Sequence, residues 1–229
     1  MHSLRKYKLF GQFGKLMKQY HSDAPNTTFV LVSHNAHKIR EIRLLLQTIC
    51  PQAQLLCAAD VGLGEAVEET GTTFEENALL KARLAAQAGY IGIADDSGLC
   101  VDALHGAPGV YSARFAGEPC DDRKNNEKLL HALQGIAAPY RTARFVSVLA
   151  MVFADASAPL VARGECSGVL LDAPRGDDPL FYYPPLQKTF AQLTQSEKNQ
   201  ISHRARAMER FGTLLREKFG GGGNAVIKQ

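Results

Sequence analysis

Hydrophobic and polar positions divide the chain into short apolar runs separated by longer amphipathic ones. "TFVLVSHN" is apolar and rich in β-branched residues before it turns polar, which predicts a buried strand leading into a loop. In "AHKIREIRLLLQTIC", Ile39, Ile42, Leu45, Leu46 and Ile49 recur near helical spacing, and Pro51 stops the helix. "QLLCAAD" reads as a second short strand. "TTFEENALLKARLAAQAG" reads as a helix with Thr72 or Thr73 as cap, acids in its first turn and Gly89 at its end. "YIGIADDSGLCVDAL" begins as a buried strand and runs into an acidic turn. A helix over 122–135, two paired strands in "TARFVSVLAMVFAD" and "PLVARGECSGVLLD", and a final helix over 202–218 complete the pattern. Strands alternating with helices give an α/β fold, to which the long central pair adds an antiparallel part. The expected architecture is an elongated two-lobed mixed sheet flanked by helices, with a cleft between the lobes.

Composition narrows this only a little. The 229 residues, 45% of them hydrophobic, suffice for one substantial core. A net charge of +3 without a clustered basic stripe argues against nucleic acid as a partner, and no apolar run is long enough to span a membrane. Cys50, Cys57, Cys100, Cys120 and Cys166 are odd in number and lack metal-ligand spacing, which favours reduced thiols in a cytoplasmic protein. Residues 1–28 are basic and poor in apolar positions, so they read as a poorly ordered extension with no secretory signal. The main domain is expected over 29–219, and 220–229, opening with a glycine run, reads as a flexible tail.

Four clusters could carry chemistry. Ser33 and Asn35 fall at a strand-to-helix junction, where unpaired N–H groups and the helix dipole favour an anion. Lys38 opposes that dipole and calls for an anionic partner such as phosphate, although a plainly capped helix without the glycines of a phosphate loop would look the same. Glu68 and Glu69 precede a turn, and Asn77 and Lys81 share one face of the next helix. Adjacent acids are usually solvated surface; they become plausible Mg²⁺ ligands beside another carboxylate and a phosphate. An apolar strand delivers Asp95 and Asp96 to its carboxyl end, where α/β ligands bind, and alternation sends them to opposite faces. One acid would face the cleft, to hold a metal or orient a water, while the other braces a tight turn at Ser97 and Gly98. Lys198 precedes the last helix, Ser202 can cap it, and His203 and Arg204 lie in its first turn, where cations again call for an anion or a polar ring.

The segments "SHNAHKIREI", "EETGTTFEENALLKARLAA", "IADDSGLCVDALHGAPGVYSARFAG" and "EKNQISHRARAM", in this order, resemble the noncanonical purine nucleoside triphosphate pyrophosphatases, the XTP/dITP diphosphatase or inosine triphosphatase family. The resemblance implies a nucleotide in the central cleft and Mg²⁺-dependent hydrolysis of ITP, dITP and XTP to monophosphate and pyrophosphate. It also implies a homodimer that cleanses the nucleotide pool. By position, Ser33, His34, Asn35, Ala36, His37 and Lys38 resemble the phosphate-contacting segment. Asp96 resembles the general base and metal-linked acid, with Ser97 beside the substrate. Glu68 or Glu69 resembles the other metal ligand. Asn77 and Lys81 match the triphosphate-side helix, and Lys198, His203 and Arg204 match the base and sugar side.

One stretch departs from the family. Members carry Gly-Phe-Gly-Tyr-Asp-Pro after a Pro-Arg-Gly-like turn, and the Phe stacks on the base. Here "PRGDDPLFYYPP" aligns Asp178 with the family's Asp-Pro and lacks the Gly-Phe-Gly-Tyr piece. Stacking on an aromatic is worth roughly 1–3 kcal/mol per base. Three outcomes stay open: Phe181 or Tyr182 fills the place, an open pocket gives altered or broad base specificity, or the protein is a degenerate nucleotide binder.

Overall fold

The computed structural model describes residues 28–33, 36–63, 67–173 and 180–219, with the side chains of residues 36 and 37 left aside. The expected N-terminal extension up to residue 27, the tail from 220, His34, Asn35 and the 174–179 loop with Asp178 lie outside the described residues, as do the side chains of Ala36 and His37.

Seven strands form one sheet in the order β2-β1-β3-β4-β5-β6-β7. β1 (Thr28–Val32) is the apolar run expected from the sequence. It leads through α1 (Ala36–Ile49) to β2 (Gln54–Cys57), which pairs with it in parallel. α2 (Phe74–Gln87) then crosses to β3 (Ile91–Val101), parallel to the other side of β1. β4 (Thr142–Val152) and β5 (Leu160–Leu170) continue antiparallel, after α3 (Asp122–Ala132). The short β6 (Phe181–Tyr183) and β7 (Lys188–Thr189) close that end. α4 (Gln195–Ile201) and α5 (His203–Phe219) complete the described chain.

Two helices cover one sheet face. Ile42 and Leu46 of α1 and Ala207, Phe211 and Leu215 of α5 pack on Phe29, Leu31, Ile93, Leu149 and Met151. α2 covers the other face with Phe74, Ala78 and Ala82, over Ala94, Val146, Val148 and Ala150. Thr73 caps α2 through a reciprocal pair: Glu76 N–H donates to Thr73 Oγ1 at 3.1 Å, and Thr73 N–H donates to Glu76 Oε2 at 3.1 Å. Two glycines set how closely the layers approach. A Cβ at Gly92 would lie 2.0 Å from Ala82 O, and one at Gly164 would lie 2.2 Å from His203 O, so α2 and α5 rest almost directly on backbone. A separate core gathers at the β6 end from Leu99, Leu133, Cys166, Leu170, Phe181 and Phe190.

Three sequence expectations change. Asp95 and Asp96 are not at a strand end followed by a turn; β3 runs on to Val101 because β4 pairs with it, Leu149 opposite Asp95 and Val148 opposite Asp96. The chain ahead of the last helix is itself helical, so Lys198 sits half-buried within α4, which Thr194 caps through a reciprocal bond with Glu197. The β6–β7 hairpin was not anticipated, since strands of three and two residues carry almost no periodic signal. The outer edge of β5 beyond β6 is closed by side chains, Arg206 Nη1 donating to Glu165 O at 2.7 Å and Arg210 to Arg163 O. No helix among the described residues is long and apolar enough to cross a membrane.

Candidate active site

β3 organises the site. Its pairing with β1 ends at Val32–Ala94, whereas its pairing with β4 continues to Val101. From Asp95 onward, then, β3 has left its parallel neighbour and is paired through β4 alone among the described strands. The two acids follow at once, on opposite faces as strand alternation requires. They meet different partners.

Asp96, 8% exposed, faces α2. Asn77, fully buried, donates from Nδ2 to Asp96 Oδ2 at 3.3 Å and accepts the Gly71 N–H on Oδ1 at 2.8 Å. Lys81 Nζ reaches Glu69 Oε1 at 2.7 Å and Asp96 Oδ1 at 3.4 Å. Arg114, not singled out from the sequence, contacts Glu69 Oε2 at 3.5 Å. Glu68 is exposed and joins none of these contacts. One lysine thus serves two carboxylates, and they fare differently. Burial, followed by the repulsion of Glu69, pushes the Asp96 carboxyl above its ordinary range despite Lys81 and Asn77. Burial also opposes ionisation of Glu69, but Lys81 and Arg114 outweigh it and hold that group low. Burial opposes the charge on Lys81, and Asp96 and Glu69 more than restore it.

Asp95, 5% exposed, faces α1 and α5 and forms an ion pair with Lys38. Lys38, Glu41, Ile42, Asp95, Ser147, Leu149, Arg204 and Met208 line a small cavity there. Ser202 Oγ accepts the Ala205 N–H at 3.1 Å and so caps α5, placing His203 and Arg204 in its first turn as the sequence suggested. The His203 ring stacks on Phe145, centroids 5.1 Å apart and planes 21° apart. Burial, then Arg204 and Lys38, lower its pKa to about 3, so the imidazole is neutral at physiological pH. Glu41 Oε2, Ser147 Oγ, His203 Nδ1 and Arg204 Nε are buried with no hydrogen-bond partner among the described residues. Ser97 lies on this face, directly opposite Ser147 on β4, and Ser33 is half-buried just beyond β1.

Of the anticipated residues, Glu69, Asn77, Lys81 and Asp96 gather on one face of β3, and Lys38, Ser97, His203 and Arg204 lie toward the other; Glu68 and Lys198 join neither set of contacts among the described residues. Among the described residues no cluster of three or more His, Cys, Asp or Glu forms a metal cage. The donor set still suits a hard dication. Glu69 and Asp96 converge on a single ammonium position, and Mg²⁺ commonly uses one or two carboxylates plus water and substrate phosphates. Phe181 does not offer a base platform on its own: it is 5% exposed and packs against Phe145 and Phe190, with centroids 4.7 and 4.8 Å away. Tyr182 is half-buried on β6.

A family model described as Ham1 family matches residues 29–214. The chain belongs to the Ham1 family. A dITP/XTP pyrophosphatase of Yersinia pseudotuberculosis is 47% identical over 195 residues, covering 82% of this chain and 98% of that protein. One from Clostridium perfringens is 44% identical over 200 residues, covering 82% of this chain and 97% of its own length. The solved Ham1 protein of Coxiella burnetii matches with a TM-score of 0.77 at 39% identity, across 83% of this chain and 98% of that one. The resemblance read from the motifs is borne out by these relatives. Within the Ham1 fold, sequence reasoning missed Arg114, Glu41 and Ser147. Arg114 and Glu41 lie inside quoted motifs, but nothing in their spacing points Arg114 to Glu69 or Glu41 into the cavity beside Asp95; Ser147 is one polar residue in an apolar strand.

Proposed function

We propose that the protein hydrolyses noncanonical purine nucleoside triphosphates such as ITP, dITP and XTP between the α and β phosphates, releasing monophosphate and pyrophosphate and so cleansing the nucleotide pool. The observation that carries this is the convergence of Glu69 and Asp96 on Lys81, in a Ham1 chain whose relatives are named dITP/XTP pyrophosphatases. Glu69, rather than Glu68, and Asp96 would hold Mg²⁺. When bound, the ion supplies positive charge against the phosphate oxygens.

The residues of the chain do the rest. Asp96 accepts the proton of the attacking water. Asn77 holds the other oxygen of that carboxylate and ties it to the Gly71 backbone. Lys81 and Lys38 offset charge on the triphosphate. The Ser33–Lys38 segment, with His34, Asn35, Ala36 and His37, cradles phosphate at the start of α1. Ser97, Asp178 and Lys198 contact the nucleotide, and neutral His203 with Arg204 reads the base. A keto purine satisfies buried donors that adenine leaves unpaired, which is the strongest form of rejection open to a site. The protein acts as a homodimer in the cytoplasm.

A second reading, altered or broad base specificity, is favoured by the burial of Phe181 in the core, since the family's stacking phenylalanine then has no evident substitute there. A panel of ITP, XTP, dITP, GTP and ATP with Mg²⁺, scored for pyrophosphate against phosphate, tests both. Pyrophosphate release with ITP well ahead of ATP is expected. Release of single phosphate rejects α–β cleavage, equal rates for ITP and ATP give the second reading, and absence of turnover with retained binding gives a degenerate binder.

A further inference from the structure

Ser147 is a polar residue in the apolar centre of β4, 1% exposed, with its hydroxyl unpartnered among the described residues. It lies on the Asp95 face and lines the cavity between β3, α1 and α5. Two more unpartnered buried atoms belong to the same lining, Arg204 Nε and Glu41 Oε2. Their hydrogen-bonding characters are complementary: Nε–H only donates, the carboxylate oxygen only accepts, and the hydroxyl does either. The cavity has a volume of about 10 Å³, close to the minimum for one water; its exposed lining is mostly apolar, and Ser147, Arg204 and Glu41 supply the polar partners a water needs there.

We infer that Ser147 is a positioning residue that orients Arg204 and Glu41 through one buried water. The water accepts from Arg204 Nε–H, donates to Glu41 Oε2, and exchanges its remaining bond with the Ser147 hydroxyl. Arg204 is a long side chain at the start of α5, and a fixed Nε leaves its terminal nitrogens aimed in one direction. The serine thus acts on base selection without touching the nucleotide. The inference rests on the reading of Arg204 as a base-side residue.

Two measurements test it. A high-resolution crystal structure of the free protein should contain a water within hydrogen-bond distance of Ser147 Oγ, Arg204 Nε and Glu41 Oε2; a dry cavity, or a water that avoids Ser147, overturns the inference. Ser147→Ala removes the hydroxyl at nearly constant volume. With folding checked by circular dichroism, it should raise KM for ITP and lower the ITP-to-ATP ratio of kcat/KM by roughly five- to tenfold, the size of one net hydrogen bond, with kcat nearly unchanged. Ser147→Cys, which keeps a weak donor, should fall in between. A purely structural serine would shift the melting temperature and leave the ratio at its wild-type value, and that result also overturns the inference. Wild-type protein without ITP hydrolysis would instead remove the functional reading, and the crystallographic measurement would still decide the water.

Discussion

The two faces of β3 carry adjacent aspartates and opposite kinds of order. On the Asp96 face both acids, the lysine and the asparagine are paired within the protein, Asn77 to Gly71 and Asp96, and Lys81 to Glu69 and Asp96. On the Asp95 face the ion pair with Lys38 is made, yet Glu41, Ser147, His203 and Arg204 each keep a buried polar atom without a partner among the described residues. Buried polar groups are costly to leave unmet, so a cluster of them marks where something other than the protein completes the bonding. One face is built before ligand arrives and suits chemistry, which gains from groups already fixed. The other leaves bonds for a buried water and, in the proposed function, for the base.

That contrast can be attacked first where the effect is largest. Asp96→Asn should lower ITP hydrolysis by about 1,000-fold while nucleotide binding persists, as read by pyrophosphate release and by calorimetric titration. Undiminished turnover would remove Asp96 from the centre of the mechanism. Next, Glu69→Gln should cost roughly 100-fold and raise the Mg²⁺ concentration needed for half-maximal rate, whereas Glu68→Gln should stay within about twofold. Equal losses in the two variants would break the division between them.

The smallest effect belongs to the recognition face. His203→Ala should narrow the ITP-to-ATP preference by about tenfold, and a variant that rejects ATP as well as the wild type does would sink the assignment. The same residue carries a pH signature. Free imidazole titrates near 6.5, and folded His203 only near 3, so between those values the unfolded chain binds a proton that the folded chain refuses. Its contribution to stability is complete above about pH 6.5 and is lost as the pH falls toward 3. Melting curves at neutral and mildly acidic pH should therefore converge in the His203→Ala protein relative to wild type; parallel curves would mean that His203 is not held neutral.

Much of this was legible in the chain. The β-branched run of β1, the apolar spacing of α1 and the Thr73 cap of α2 each state their element locally, and alternation alone sends Asp95 and Asp96 to opposite faces. The extent of β3 was not legible, because Asp95 and Asp96 are poor strand formers held in the sheet by Leu149 and Val148, far off in sequence. The choice between Glu68 and Glu69 was also hidden, since two adjacent identical acids differ only in which one Lys81 meets. From the sequence, Phe181 could be either a substitute base platform or core packing; its pairing with Leu170 and its packing on Phe145 make it core.

The bare backbone contact at Gly164 has a consequence for how the two faces can vary. α5 begins over that glycine, and the carbonyl of His203 occupies the space a methyl group would need. Any side chain at 164 would act as a wedge under the first turn of α5, lifting His203 and Arg204 while α2, Glu69 and Asp96 stay seated on the far side of the sheet. If His203 and Arg204 read the base as proposed, this one position would be a fulcrum for tuning what the protein selects separately from how fast it cuts.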